Sequence, residues 1–296
     1  MTNFRASWAK TTAIITTMAL VVAGCGDDTG SEDGGEGDGG SCAVTDLDLV
    51  TPGTLMVATG ETVFPPWMGV GDDNFDIPES KTGFEGALVY ELASQLGLTD
   101  DQVTFVRTGF DEAIAPGPKE FDFNIQQYSI TETRDEVVDF SDPYYTTHQA
   151  LVTFADSPYA TASTIEELKD ANLGAAIGTT SLDFAEEVIQ PDEEVSVYDD
   201  NTDVEAAMNA GQIDGLVVDL PTAYFITEAQ IEGTVIVGQF EAQADNPDEF
   251  GMLFEEGNSL VACVNEALST LRDDGTLQSL EDQWLTQEGA VPSITG

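Results

Sequence analysis

The sequence predicts an α/β protein built from two units, and three observations carry that prediction. Short apolar runs alternate with amphipathic segments at strand–helix–strand spacing over residues 55–106, and the pattern returns over 173–218. Two amphipathic helices close the chain, at 260–271 and 277–285, divided by Asp273-Asp274-Gly275-Thr276. Of the 296 residues, 41% are apolar, enough to fill more than one core.

The chain opens with a basic segment, Arg5 and Lys10, that contains no acid; an apolar stretch over 11–22 follows and ends in Val22-Ala23-Gly24-Cys25. That order of charge, apolar core and small residues is the pattern of a secretory signal peptide over 1–24, and small residues directly before a cysteine suit acylation of Cys25 after cleavage. The alternative is an ordinary signal peptide cut nearby. Residues 26–41 are only Gly, Asp, Glu, Ser and Thr, which reads as a charge-extended tether rather than an acidic metal site. In an exported protein the two remaining cysteines, Cys42 and Cys263, are expected to pair, the alternative being two free thiols.

A first buried strand is expected over 55–59, stopped by the loop Phe64-Pro65-Pro66-Trp67. Gly83-Phe84-Glu85 leads into a helix with Phe84, Leu88, Leu92 and Leu96 on one face and Gly97 as its stop. A strand over 103–106 follows, then a helix from Gly109 that Pro116-Gly117-Pro118 breaks, then a buried strand over 121–125. Next comes Ser129-Ile130-Thr131 with Arg134, one of four arginines in a chain with 56 Asp and Glu. Hydroxyls, backbone N–H groups at a helix start and a guanidinium suit the capture of a small carboxylate. The competing reading is a surface arginine paired with Asp135 or Glu136.

Residues 149–154 read as a strand leaving the first unit, and 165–168 as a helical turn capped by Ser163 or Thr164. The second unit is expected to comprise strands at 173–177, 195–198 and 213–218, with helices over 182–189 and 204–209. Asp219 follows its strand directly, where open α/β sheets gather ligand groups, although it equally suits a cap for 221–225. A late strand is expected over 250–254. His148 has no partner His or Cys and reads as structural. Trp67 and Tyr128 suit a pocket or a core equally well.

The formal net charge of -48 excludes a protein that binds nucleic acid by neutralising phosphates, and it suggests saline surroundings in which self-repulsion is screened. No metal cluster, catalytic triad or phosphate loop stands out, so neither metal nor cofactor is expected.

Taken in order, these motifs, together with Val138-Asp139-Phe140-Ser141-Asp142-Pro143, Gly178-Thr179-Thr180 and the run from Asp214 to Asp219, resemble the solute-binding proteins of ABC importers, polar amino-acid family. The resemblance implies a two-lobed periplasmic-binding-protein fold of type II, with a ligand cleft between lobes joined by a two-stranded hinge. It implies lobe 1 over 53–147 and 241–296, lobe 2 over 148–240, and crossings near 147–150 and 238–241, after an anchor and tether over 25–52. By the same resemblance Arg134, with Ser129, Gly178 and Thr180, takes an α-carboxylate. Asp219 and the carbonyl of Gln127 take the α-ammonium, Phe64 and Phe110 wall the side chain, and Glu61 reads its polar end. The implied partners are an amino acid, an importer permease and, through the lipid, a membrane, with the protein itself a monomer. Gln126-Gln127-Tyr128 departs from the small residues usual there, and Ala87 replaces a frequent acid. Two other classes remain: a cyclohexadienyl dehydratase-like enzyme drawing on Glu61, Glu85 or Asp219, and the ligand-binding component of a sensor.

Overall fold

The computed structural model describes residues 42–69, 75–241, 247–285 and 291–296. The expected signal peptide, Cys25 and the acidic tether lie outside them. No helix among the described residues is long and apolar enough to cross a membrane.

In the first lobe, β1 (Leu55–Thr59) pairs in parallel with β2 (Val103–Arg107) and β3 (Phe123–Asn124). Parallel neighbours need a crossover, and α1 (Phe84–Gln95) supplies the first of them. Leu88, Leu92 and Phe84 on its inner face are fully buried, and Gly97 ends it with φ 79°. A short helix, α2 (Phe110–Ile114), stops before Pro116, and α3 (Glu132–Asp135) is a single turn capped by the Thr131 hydroxyl. The segment after Arg134 contains an edge strand, β4 (Val138–Phe140), in which Val138 is buried.

The chain then crosses through β5 (Tyr145–Thr147) into the second lobe, where β6 (Gln149–Phe154) is a central strand. A 3-10 turn over Ile165–Leu168 has Thr164 and Glu167 as its capping box. After it come β7 (Leu173–Ala176), α4 (Thr180–Phe184), β8 (Ser196–Tyr198), α5 (Asn201–Asn209), β9 (Gly215–Asp219) and α6 (Leu220–Phe225). Both α4 and α6 continue into a wider π-type turn, Ala185–Ile189 and Ile226–Gln230. The sequence pattern gave no expectation of β10 (Thr234–Phe240), whose interior Gly238 weakens the strand signal.

Past residue 247 the expected strand over 250–254 is two strands, β11 (Asp248–Phe250) and β12 (Leu253–Glu255). They serve different sheets. β11 forms a two-stranded ladder with β5 between the lobes, while β12 joins the first sheet between β3 and β4. The second crossing is therefore nearer Asp248 than 238–241. Helices α7 (Leu260–Asp273) and α8 (Thr276–Trp284) pack on α1.

The expectation that 241–296 belongs wholly to lobe 1 is corrected at the carboxyl end. Strand β13 (Ser293–Ile294) runs parallel to β10 at the edge of the second sheet. The fit is local: Gly238 has no side chain where a Cβ would meet the Pro292 carbonyl oxygen at 2.7 Å, and Ile294 is fully buried in the second lobe's core.

The first sheet has order β2-β1-β3-β12-β4 and the second β13-β10-β6-β9-β7-β8. Each has apolar clusters on both faces. In lobe 1 the larger cluster lies under α1, α7 and α8, and Cys42 is joined to Cys263 of α7 at its margin, with Cα atoms 5.4 Å apart. The smaller one gathers Ala58, Ala113, Phe121, Tyr128, Val138 and Leu253.

Candidate functional site

The strand ends of both lobes meet at a cleft, and the residues bordering it are fixed by ordinary local rules. After β1 the loop 60–68 doubles back so that the Pro66 and Trp67 carbonyls accept from the first amides of α1, at 2.8 Å from Phe84 N and 2.7 Å from Glu85 N. Gly83 makes this possible. Its φ is 81°, and a Cβ would lie 2.6 Å from the Trp67 carbonyl.

Glu85 is then completely buried beneath the cleft, with three donors on its carboxylate. The Gln127 N–H donates at 2.9 Å, and the Gln127 side-chain amide and the Tyr144 hydroxyl donate as well. Desolvation outweighs these bonds and pushes the carboxyl up to about 7. The bonds hold Gln127 at φ 52°, a left-handed conformation that costs a non-glycine residue energy. Gln127 is thus oriented by an acid that sequence reasoning had considered only as a possible catalyst. Its role is invisible without the long-range fold.

Arg134 lies at the other end of this segment. The residue is 7% exposed, and its guanidinium donates from Nη1 to the Ser129 carbonyl at 2.6 Å and stands 5.4 Å over the Phe110 ring. Nη2 donates across the cleft to the Gly178 carbonyl at 2.8 Å. No carboxylate among the described residues is within ion-pair distance of it, so the surface pair with Asp135 or Glu136 is excluded. Burial lowers its proton affinity, as for any cation removed from water without a counterion. The Ser129 and Thr180 hydroxyls face each other at 3.0 Å across the same gap. Residues 128–130 are stitched to the strand between the lobes by Ile130 N to Glu249 O at 2.8 Å and Gly251 N to Tyr128 O at 2.9 Å.

The second lobe brings Gly178, φ 71°, to a point where a Cβ would meet Asp111 Oδ1 of lobe 1 at 1.9 Å. Asp219 caps α6: Oδ1 accepts from Thr222 N at 2.9 Å and Oδ2 from the Thr222 hydroxyl at 2.8 Å. It also borders the cleft, so the two readings of this residue are compatible; each oxygen keeps a lone pair for a further donor. Burial raises its carboxyl to about 6. Thr222 links the lobes as well, accepting the Trp67 indole N–H at 2.8 Å. Trp67 is accordingly both core and cleft residue, while Tyr128 is wholly buried and stacks on Phe110 at 4.4 Å.

Two adjoining cavities result. One of about 120 Å³ contains Arg134, Ser129, Thr180 and Asp219. The other, about 390 Å³, is bounded by Glu61, Phe64, Trp67 and Phe110 from lobe 1 and by Asp200, Glu205, Thr222 and Phe225 from lobe 2. Phe110, Gln126 and Gln127 border both. Of the expected cleft residues, all but Gly178 line one or both cavities, Glu61 being exposed at the rim; Gly178 lines neither and contributes its carbonyl to Arg134. The sequence reading missed Thr222 and Glu205. The Asp219-x-x-Thr222 spacing of a helix cap was a usable signal for the first, whereas Glu205 has no local one.

Two α/β lobes, a double crossing and a polar cleft at the strand ends define a protein of the two-lobed periplasmic binding class. The chain belongs to the bacterial extracellular solute-binding proteins, family 3, which matches residues 55–287. It is 30% identical to the L-cystine-binding protein TcyJ of Escherichia coli (strain K12) over 78% of this chain and 82% of that one. Against ABC transporter arginine-binding protein 1 of the same strain the figures are 26%, 76% and 88%. Among solved structures it resembles an ancestral arginine-binding protein bound to arginine, at TM-score 0.66 and 28% identity, covering 79% of this chain and 99% of that one.

Proposed function

We propose that the protein captures a polar α-amino acid between its lobes and delivers it to an ABC importer, tethered to the outer face of a membrane by lipid on Cys25. The observation that carries this reading is Arg134: a buried guanidinium with no carboxylate partner among the described residues, bounded by Ser129 and Thr180 and opposite Asp219. A zwitterion provides an anion for Arg134 and a cation for Asp219 at once. The names of the similar proteins, which specify cystine and arginine, favour the same ligand class.

Binding alone is the expected chemistry. The buried acid with the most shifted carboxyl in lobe 1, Glu85, has both oxygens occupied by Gln127 and Tyr144. Because the clamp draws on both lobes, a bound ligand stabilises the closed arrangement by contacts that the open one lacks. Titration calorimetry over the common amino acids tests the reading. At least one is expected to bind at micromolar Kd or tighter, about -8 kcal/mol; none binding would remove the amino-acid claim. Lipid attachment is tested separately by labelling cells with a fatty acid and asking whether Cys25→Ser abolishes the label and releases the protein.

A further inference from the structure

If the cleft takes an amino acid as proposed, its walls determine which side chain it accepts. The larger cavity is strongly one-signed. Glu61, Asp111, Glu112, Asp199, Asp200 and Glu205 border it, with no Lys or Arg among its lining residues. In a chain of net charge -48 acidic neighbours alone would mean little. What separates Glu205 from the others is its combination of burial and lack of partners.

Glu205 is on α5, half-buried, and its carboxylate makes no hydrogen bond or ion pair among the described residues. By contrast Asp200 caps α5 through Asp203 N at 3.0 Å, and Glu61 is exposed to water. Desolvation, with Asp200 adding to it, pushes the Glu205 carboxyl up to about 7. A carboxylate withdrawn from water with neither donors nor a cation beside it is unfavourable, and a cation arriving from outside would remove that penalty. The clamp determines where such a cation would come from. Phe110, Gln126 and Gln127 are common to both cavities, so a ligand with its α-carboxylate on Arg134 projects its side chain into the larger one.

We propose that Glu205 is a specificity-determining residue that selects an amino acid with a cationic side chain, supplying its counterion from the second lobe when the lobes close. Cystine ends in a second zwitterion, whose carboxylate offsets its ammonium, so it offers this wall no net cation. A solvent-exposed acid such as Glu61 discriminates less, because water screens it.

The test is titration of the purified protein, at about physiological salt, with L-arginine, its neutral isostere L-citrulline, and L-cystine. Arginine is expected to bind at least about tenfold more tightly than citrulline, a difference of about 1.4 kcal/mol, and more tightly than cystine. Glu205→Gln is expected to bring the arginine-to-citrulline ratio to within about threefold of unity, while Glu61→Gln shifts it less; Glu205→Ala serves the same purpose if the glutamine variant does not fold. A ratio unchanged by both Glu205 variants, or a wild-type protein that binds citrulline or cystine as tightly as arginine, would overturn the assignment and leave the amino-acid reading standing. If no amino acid binds the wild type, the amino-acid reading fails and the assignment fails with it.

Discussion

The two lobes build their halves of the cleft by different means. Lobe 1 contributes side chains locked by tertiary contacts: Arg134 on the Ser129 carbonyl, Gln127 on buried Glu85, Trp67 packed against Phe84, Tyr145 and Phe250. It is also tied by the Cys42–Cys263 bridge across a sequence separation of 221. Lobe 2 contributes turns and helix starts: the Gly178 carbonyl, the Thr180 hydroxyl and the Asp219 cap. It has no disulfide among its described residues. One lobe thus presents a fixed cation, and the other presents acids and backbone that meet it only when the lobes approach. On the proposed reading, preorganisation is concentrated on one side and closure-dependent selectivity on the other.

Reducing the bridge tests whether lobe 1 depends on covalent support. Cys42→Ser with Cys263→Ser is expected to lower stability by up to about 4 kcal/mol in denaturant melts, because the unfolded chain regains the entropy of a very long loop. Amino-acid affinity is expected to change far less, since neither cysteine borders the cleft. A large affinity loss with little loss of stability would reverse that distinction.

Removing the fixed cation comes next. Arg134→Ala is expected to weaken amino-acid binding by about 3 kcal/mol, over a hundredfold, as for lost charge-assisted hydrogen bonds. Calorimetry showing unchanged affinity would take Arg134 out of the site. Trp67→Phe retains an aromatic side chain but deletes the cross-cleft bond to Thr222, so affinity is expected to fall by about 1 kcal/mol, roughly fivefold. Small-angle scattering would then show a smaller ligand-induced compaction.

Stability is also expected to depend on pH. The carboxyls of Glu85 and Glu205 rise from an ordinary value of 4.5 to about 7, and that of Asp219 from 3.8 to about 6. Between those limits the folded protein holds more protons than the unfolded chain, so these groups make stability fall as pH rises through that window and level off above it. Thermal melts of ligand-free protein are expected to show Tm increasing as pH is lowered from 8 towards 5. Relief of the self-repulsion of a -48 chain acts in the same direction, but salt suppresses that part and leaves the part due to buried groups. A Tm that falls on acidification in high salt would contradict it.

Much of the fold was legible because its elements obey local periodicity. Strands β1, β2 and β6 and helices α1, α7 and α8 fall within a residue or two of their expected limits, as buried faces with Gly or Pro punctuation allow. The elements that were missed or misplaced are those with little local signal. Strands β4, β5 and β13 are two or three residues long, β10 has a glycine inside it, and the β11–β12 break turns on which sheet each half can reach. Within the site, Arg134 was recognisable by its scarcity among acids and its Ser-Ile-Thr context, and Asp219 by its place after an apolar run. Glu85 and Thr222 have partners 42 and 155 residues away, and Glu205 is picked out by having none among the described residues, which no local pattern encodes.

The sequence by itself determined the α/β class, the order of the main elements and the presence of one unusual arginine, because periodicity, punctuation and charge are properties of neighbours along the chain. Tertiary structure alone decided that the carboxyl end returns to the second sheet, that Glu85 holds a left-handed Gln127, and that Arg134 is buried without a carboxylate. Burial and pairing depend on what the fold brings alongside, and desolvation turns that neighbourhood into energy.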